Sequence, residues 1–182
     1  MKDNDSNQNG RYFCQGNDFF VFSEITFDLV SEVIRSCNEL LSACNSPVIC
    51  ISSKGGDSVA GNVLADFILA NEVETVAMGD VESAAVTVFL AGKKRYLSSP
   101  RVTFMTHATG INLLPQEVYC AGEINAYGDF IGIADKQMER FFCEVTGKDW
   151  HGFFKQRPYY FGEKVARRQG MITEEGYWSS DV

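Results

Sequence analysis

Val48-Ile49-Cys50-Ile51-Ser52-Ser53-Lys54-Gly55-Gly56-Asp57-Ser58-Val59-Ala60-Gly61 is the stretch that decides the fold. The β-rich apolar run after the Ser46-Pro47 break predicts a strand over Val48–Ser52. The turn Lys54–Asp57 follows, and Val59, Ala60, Val63, Leu64, Phe67 and Ile68 then recur at helical spacing. Upstream, Phe19–Phe22 reads as a short buried strand. A helical stripe of Leu29, Val30, Val33, Ile34, Cys37, Leu40 and Leu41 comes next, with Thr26 or Asp28 able to cap it. Downstream, Glu74–Met78 predicts a third strand ending at Gly79-Asp80. Ser83–Ala91 predicts a helix buried on most sides, and Val102–Thr106 a strand that ends in His107. This alternation across residues 19–106 predicts an α/β protein with a largely parallel sheet.

From Pro115 the pattern changes. Proline at a helix start, with Glu117 in the first turn, predicts a long helix running to Thr146 and stopped by Gly147. Gly122, Gly128 and Gly132 each weaken it by about 1 kcal/mol relative to Ala, so it is expected to pack against another subunit. A last helix, Glu163–Gln169, closes at Gly170. Residues 1–10 read as a disordered tail and residues 11–182 as a single domain.

The 182 residues carry 16 Lys+Arg against 24 Asp+Glu, a formal charge of −8, with 45% hydrophobic and 22% charged residues. That balance is ordinary for a globular chain, and one of this length buries about 70% of its unfolded surface. With 14 Phe, 7 Tyr and 2 Trp against 4 Pro, disordered and collagen-like readings are excluded. An acidic chain lacks the basic face that phosphate backbones require, so no nucleic-acid partner is expected. No apolar run approaches the roughly 18–20 residues of a membrane span, and the polar start Met1–Gly10 has no apolar signal core. No membrane partner and a cytoplasmic location are expected. Cysteines at 14, 37, 44, 50, 120 and 143 include no C-x-x-C pair and read as buried reduced thiols. With two histidines and no tight ligand cluster, neither a metal nor an organic cofactor is implied.

Two strand-to-helix turns can carry chemistry, because such turns gather free N–H groups on one edge of an α/β sheet. In Ser53-Lys54-Gly55-Gly56 the paired glycines let the backbone approach a ligand and aim amides at an oxygen. A plain Gly-Gly turn has the same composition. In Gly79-Asp80-Val81-Glu82-Ser83-Ala84-Ala85, Ser83 stands where the third strand hands over to the buried helix. Its hydroxyl either caps that helix or lies where free amides favour a developing oxyanion. A serine nucleophile needs a base, usually histidine. His107 ends a strand, where reactive groups are displayed, whereas His151 sits in a Phe-rich stretch and reads as packing or solvent-facing.

The order and spacing of these segments resemble those of the Clp protease proteolytic subunit, the ClpP family. Ser53-Lys54-Gly55-Gly56-Asp57-Ser58-Val59-Ala60-Gly61 resembles its S-P-G-G-x-V-x-A-G stretch, with one residue more before Val59. Gly79-x-x-x-Ser83 resembles the G-x-A-x-S nucleophile turn. Arg101–His107 resembles the strand that ends in the family histidine, 24 residues beyond Ser83. The loop Thr109–Leu114 and the helix after it resemble the handle, about residues 109–147. Val165-Ala166-Arg167-Arg168-Gln169-Gly170-Met171-Ile172 resembles the closing E-A-x-x-x-G-L-I segment. The likeness covers about residues 18–173.

It implies a ClpP/crotonase-like α/β fold of repeated β-β-α units with a long protruding handle helix. Ser83 would be the nucleophile and His107 the general base, with the amides of Gly56 and Ala84 forming the oxyanion hole and Gly55 shaping the loop. Lys54 replaces the usual proline and Ala84 the usual methionine, changes that backbone donors tolerate. Glu82 places a carboxylate beside the nucleophile, which opposes an oxyanion unless it points away or pairs with a cation such as Lys54. The family aspartate, in R-D-x-F, falls on Pro158 of Arg157-Pro158-Tyr159-Tyr160, where Arg157 resembles an inter-ring arginine. His107 is then oriented by another acceptor (Gln156, Asp149, Glu163 or a backbone carbonyl), works as an unsupported dyad, or belongs to an inactive subunit.

The activity implied is that of an ATP-dependent serine endopeptidase subunit. It would cleave unfolded polypeptide or peptides inside two stacked heptameric rings of its own kind, served by a Clp-type ATPase unfoldase. The N-terminal tail is not recognisable as the axial loop that contacts such an unfoldase. The alternative is a catalytically weak or inactive scaffold subunit of a mixed ring. A crotonase-type enzyme, which also holds a thioester enolate between two amides, is a third reading.

Overall fold

The Val48 run forms β3 (Val48–Ser53), which lies inside a seven-stranded sheet. The computed structural model describes residues 12–110, 119–154 and 157–177. Sheet order is β1 (Tyr12–Gln15), β2 (Asp18–Val21), β3, β4 (Glu74–Glu82), β6 (Thr103–Thr106) and β7 (Tyr159–Gly162), with β5 (Arg95–Leu97) paired to the first half of β4. The outer pairs β1–β2 and β6–β7 are antiparallel, and the pairings between them are parallel. The expected tail, residues 1–10, lies outside the described residues.

Side-chain alternation sets two faces. Phe19, Val21, Ile49, Ile51, Ala77 and Val81 join the main core under α1 (Phe27–Ser42), α2 (Ser58–Ala70) and α3 (Ala84–Leu90). On the other face Phe20, Val48, Cys50 and Val76 form a smaller cluster with Tyr96 and Tyr177. β3 is therefore apolar from Val48 to Ile51, as a parallel strand covered on both sides must be. Thr26, rather than Asp28, caps α1 by accepting from the Leu29 N–H. Asp57 caps α2 by accepting from the Val59 and Ala60 N–H groups at 2.8 and 2.9 Å. All seven residues of α3 are buried.

The strand expected to stop at Gly79-Asp80 instead continues to Glu82. Its pairing with β3 shifts between Ile51 and Ser53, where Ile51 faces Ala77 but Ser53 faces Val81. Gly79 takes the extra length with φ +50°, packed against Ser52 so closely that a Cβ would lie 2.9 Å from its Oγ. Across this bulge β4 changes partner. Thr75–Ala77 pair with Arg95–Leu97, whereas Asp80–Glu82 pair with Thr103–Met105. The irregularity carries the strand on to Ser83.

The long helix α4 (Ala121–Thr146) begins after the expected Pro115. Pro115 and Glu117 lie outside the described residues, and Glu123 is the carboxylate at the observed start, accepting from the Cys120 N–H at 2.8 Å. Ala121–Phe130 are all exposed, so this end protrudes and leaves Ile124, Tyr127, Phe130 and Ile133 uncovered. The other end enters the core through Phe142 and stops at Gly147 in the left-handed region, φ +65°. The last helix, α5 (Glu163–Arg168), packs on β7. Among the described residues no helix is long and apolar enough to cross a membrane.

Not all the cysteines are buried. Cys37 and Cys50 are, and burial pushes both thiols up to about 12. Cys44 and Cys120 are exposed, because they stand at a helix end and a helix start.

Arg95 is an unforeseen tie. Its buried guanidinium donates to the carbonyls of Met171, Leu90, Gly92, Val145 and Gly170. It thereby gathers the ends of α3, α4 and α5, where orphan carbonyls need donors.

Candidate active site

Ser83 follows β4 directly and precedes α3, at φ +52° and ψ −126°. That backbone region is costly for a non-glycine residue, on the order of 1–3 kcal/mol. It is held by the Ser83 N–H, which donates to Met105 O on β6 at 2.8 Å. The hydroxyl makes no cap to α3. Instead it lies 2.8 Å from Nε2 of His107, one residue past the end of β6. The helix-capping reading of Ser83 is thereby replaced. Both residues are half-buried and line a cavity of about 450 Å³.

The glycine loop closes the other side. Gly55 packs on the Ser83 turn so tightly, at φ +92°, that a Cβ there would come within 2.7 Å of both Ser83 Cβ and Glu82 O. Its carbonyl accepts from Ile25 N–H, and the Asp57 N–H donates to Ile25 O, so the loop is pinned at both ends. Among the described residues, no protein acceptor takes the N–H of Gly56 or of Ala84, and both residues line the cavity. The four residues singled out in the sequence therefore meet in one place: a hydroxyl, an imidazole and two uncommitted amides.

Nδ1 of His107 is 2.6 Å from the carbonyl of Ala108. A carbonyl only accepts, so Nδ1 carries the proton and Nε2 presents its lone pair to the Ser83 O–H. This is the tautomer a general base requires. β6 and β7 pair Thr106 with Tyr159, so His107 and Pro158 each stand one residue beyond the last described pair. Of the replacements considered, Asp149 binds the His151 N–H and Glu163 binds Arg167. Gln156 lies outside the described residues. A backbone carbonyl fills the place, and it leaves no trace in a sequence. His151 is exposed, 3.3 Å from Glu139.

Glu82 is buried beside Ser83 but turned to Lys54, whose Nζ lies 2.6 Å from Glu82 Oε1 and 2.9 Å from Asp80 Oδ2. These bonds, Glu82 first, raise the Lys54 ammonium above its ordinary range. Lysine in place of proline therefore neutralises the carboxylate next to the nucleophile. Phe130, Met138, Phe142 and Phe154 complete the cavity wall. An adjoining pocket of about 350 Å³ shares Phe130 and Met138 and adds Phe141.

Fold and site define the class: a ClpP/crotonase-like α/β protein with a serine and a histidine joined at a strand-to-helix turn. The Clp protease family pattern matches residues 3–174, and the chain belongs to that family. Among solved structures it is similar to an asparagine-to-aspartate mutant of ClpP1 from Listeria monocytogenes, at 26% identity and a TM-score of 0.74. The match covers 87% of this chain and 90% of that one. No curated protein matches the chain in sequence. The protein is a ClpP-like peptidase.

Proposed function

We propose that the protein is an active serine endopeptidase subunit of the ATP-dependent Clp type, cleaving peptides by acyl transfer in an oligomeric chamber. The observation that carries this is the 2.8 Å approach of Ser83 Oγ to His107 Nε2, with Nδ1 engaged by Ala108 O. His107 takes the hydroxyl proton as Oγ attacks the scissile carbonyl. The amides of Gly56 and Ala84 receive the oxyanion. His107 then returns the proton to the leaving amine, and water hydrolyses the acyl-enzyme by the same route. The adjoining pocket suits an apolar side chain next to the scissile bond. The uncovered apolar face of α4 supports self-association into stacked heptameric rings, with a Clp-type unfoldase as partner, unfolded polypeptide as substrate and the cytoplasm as location.

A fluorophosphonate probe should label the wild-type assembly at Ser83, and His107→Ala should slow labelling by at least about 10⁴-fold. An intact assembly that takes no label, or a Ser83→Ala variant labelled as fast as wild type, sinks the assignment. Pro158, at the position where the family has its aspartate, favours one other reading, a weak scaffold subunit of a mixed ring. Robust peptide hydrolysis by the pure protein, lost in Ser83→Ala, rules that out.

A further inference from the structure

The carbonyl that holds His107 belongs to a peptide group with a second partner. Ala108 C=O and Thr109 N–H are the two ends of one planar amide. The carbonyl end accepts from His107 Nδ1 at 2.6 Å, and the N–H end donates to Oδ1 of Asp135 at 2.6 Å. Asp135 sits half-buried on α4, 26 residues along the chain from Thr109. We propose that Asp135 is a positioning residue for His107, acting through the Ala108–Thr109 peptide and supplying the carboxylate that Pro158 cannot. This rests on the Ser83–His107 reading above.

The physical argument has two parts. The first is orientation. A carbonyl in the loop after a strand end can turn with its peptide plane, and a bond at one end only does not fix that plane. With both ends bonded, the plane is held, and so is the imidazole that leans on it. The second is charge. A carboxylate accepting from the N–H polarises the amide and makes its oxygen a stronger acceptor, by about 10–30% per bond in a chain of hydrogen bonds. When Nε2 takes the serine proton, positive charge appears on the ring, and the Asp135 carboxylate accepts at the other end of the peptide that the ring leans on. Asp135 is not among the described residues that line the cavity.

The test is steady-state hydrolysis of a chromogenic peptide and the rate of fluorophosphonate acylation, both with the full chain. Asp135→Ala should lower kcat and the acylation rate by about 10–100-fold, the scale on which small misplacements of a reacting group act, with KM within about twofold. Asp135→Asn keeps an oxygen acceptor but no charge and should lose about 3–10-fold. A folded Asp135→Ala with wild-type kcat, or with a loss confined to KM, overturns the proposal. Where Asp135→Ala does not fold, the near-isosteric Asp135→Asn decides by the same criterion. The two readings fail differently. If His107→Ala is acylated like wild type, or wild type is not acylated, the Ser83–His107 assignment falls and takes this one with it. If acylation needs His107 but ignores both Asp135 variants, only Asp135 is removed.

Discussion

Two polar centres in this sheet follow opposite rules. Around Arg95, at the start of β5, all the donor groups are committed: a buried guanidinium meets five carbonyls from the ends of three helices. Around Ser83, at the end of β4, capacity is left open. Two amides have no protein acceptor among the described residues, and the serine backbone sits in a region that glycine would prefer. Satisfied donors stabilise; unsatisfied ones, held rigidly, can act on a substrate. The contrast predicts that changes at Arg95 alter stability and spare chemistry, whereas changes at Ser83 do the reverse.

The largest effect should come from Arg95. Arg95→Met keeps the apolar stem but leaves three buried and two partly buried carbonyls without their guanidinium donor, and is expected to cost about 3–5 kcal/mol in urea unfolding. The acylation rate per folded molecule should hold. A loss under about 1 kcal/mol would mean that water replaces the guanidinium, and the contrast would dissolve. A smaller effect of opposite sign is expected at Ser83. Ser83→Gly should be more stable than Ser83→Ala by about 1 kcal/mol, because glycine takes φ +52° without strain. At an ordinary helix position the order is reversed. Thermal unfolding of the two inactive variants decides it. Equal stability would show that the turn stores no strain.

The fold was legible wherever burial imposes periodicity. The apolar run of β3 and the stripes of α1 and α2 are consequences of being covered, so they are written in residue type. β1, β5 and β7 were not seen, since three or four residues at a sheet margin are too short for a period. The continuation of β4 past Gly79 was missed for a different reason: a glycine that ends most strands here makes a bulge. At the candidate site, Ser83 and His107 were singled out by residue type and by their places at strand ends, and the amides of Gly56 and Ala84 by the resemblance to the ClpP family. The Ala108 carbonyl was beyond reach, since each residue has one, and Asp135 was hidden because its bond to Thr109 is made to a backbone amide. Arg95 looked like any arginine beside two lysines; nothing in KKR tells which cation turns inward.

The Lys54 cluster should give the smallest effect, and it sharpens the contrast because it lies between the two kinds of centre. Lys54 bridges Asp80 and Glu82, and Asp80 also accepts from Thr103 Oγ1. The Thr103 bond first, and then Lys54, hold the Asp80 carboxyl below its ordinary value of 3.8. A carboxylate depressed in the folded state contributes stability that is complete above its unfolded value and is lost as pH falls through the folded one. Unfolding curves should therefore be insensitive to Asp80 from neutral pH down to about 4 and should weaken only below that. The loss should be smaller in Lys54→Met and should fade with salt, since the Lys54 side chain is 70% exposed and solvent screens it. Glu82 is different, because its side chain is only 9% exposed and adjoins the nucleophile. Stripped of its cation in Lys54→Met, it should oppose the oxyanion and slow acylation about threefold. The double variant Lys54→Met with Glu82→Gln should recover that rate. If it does not, the lysine acts by holding the Gly55 loop in place, and its role belongs with the saturated centre rather than the open one.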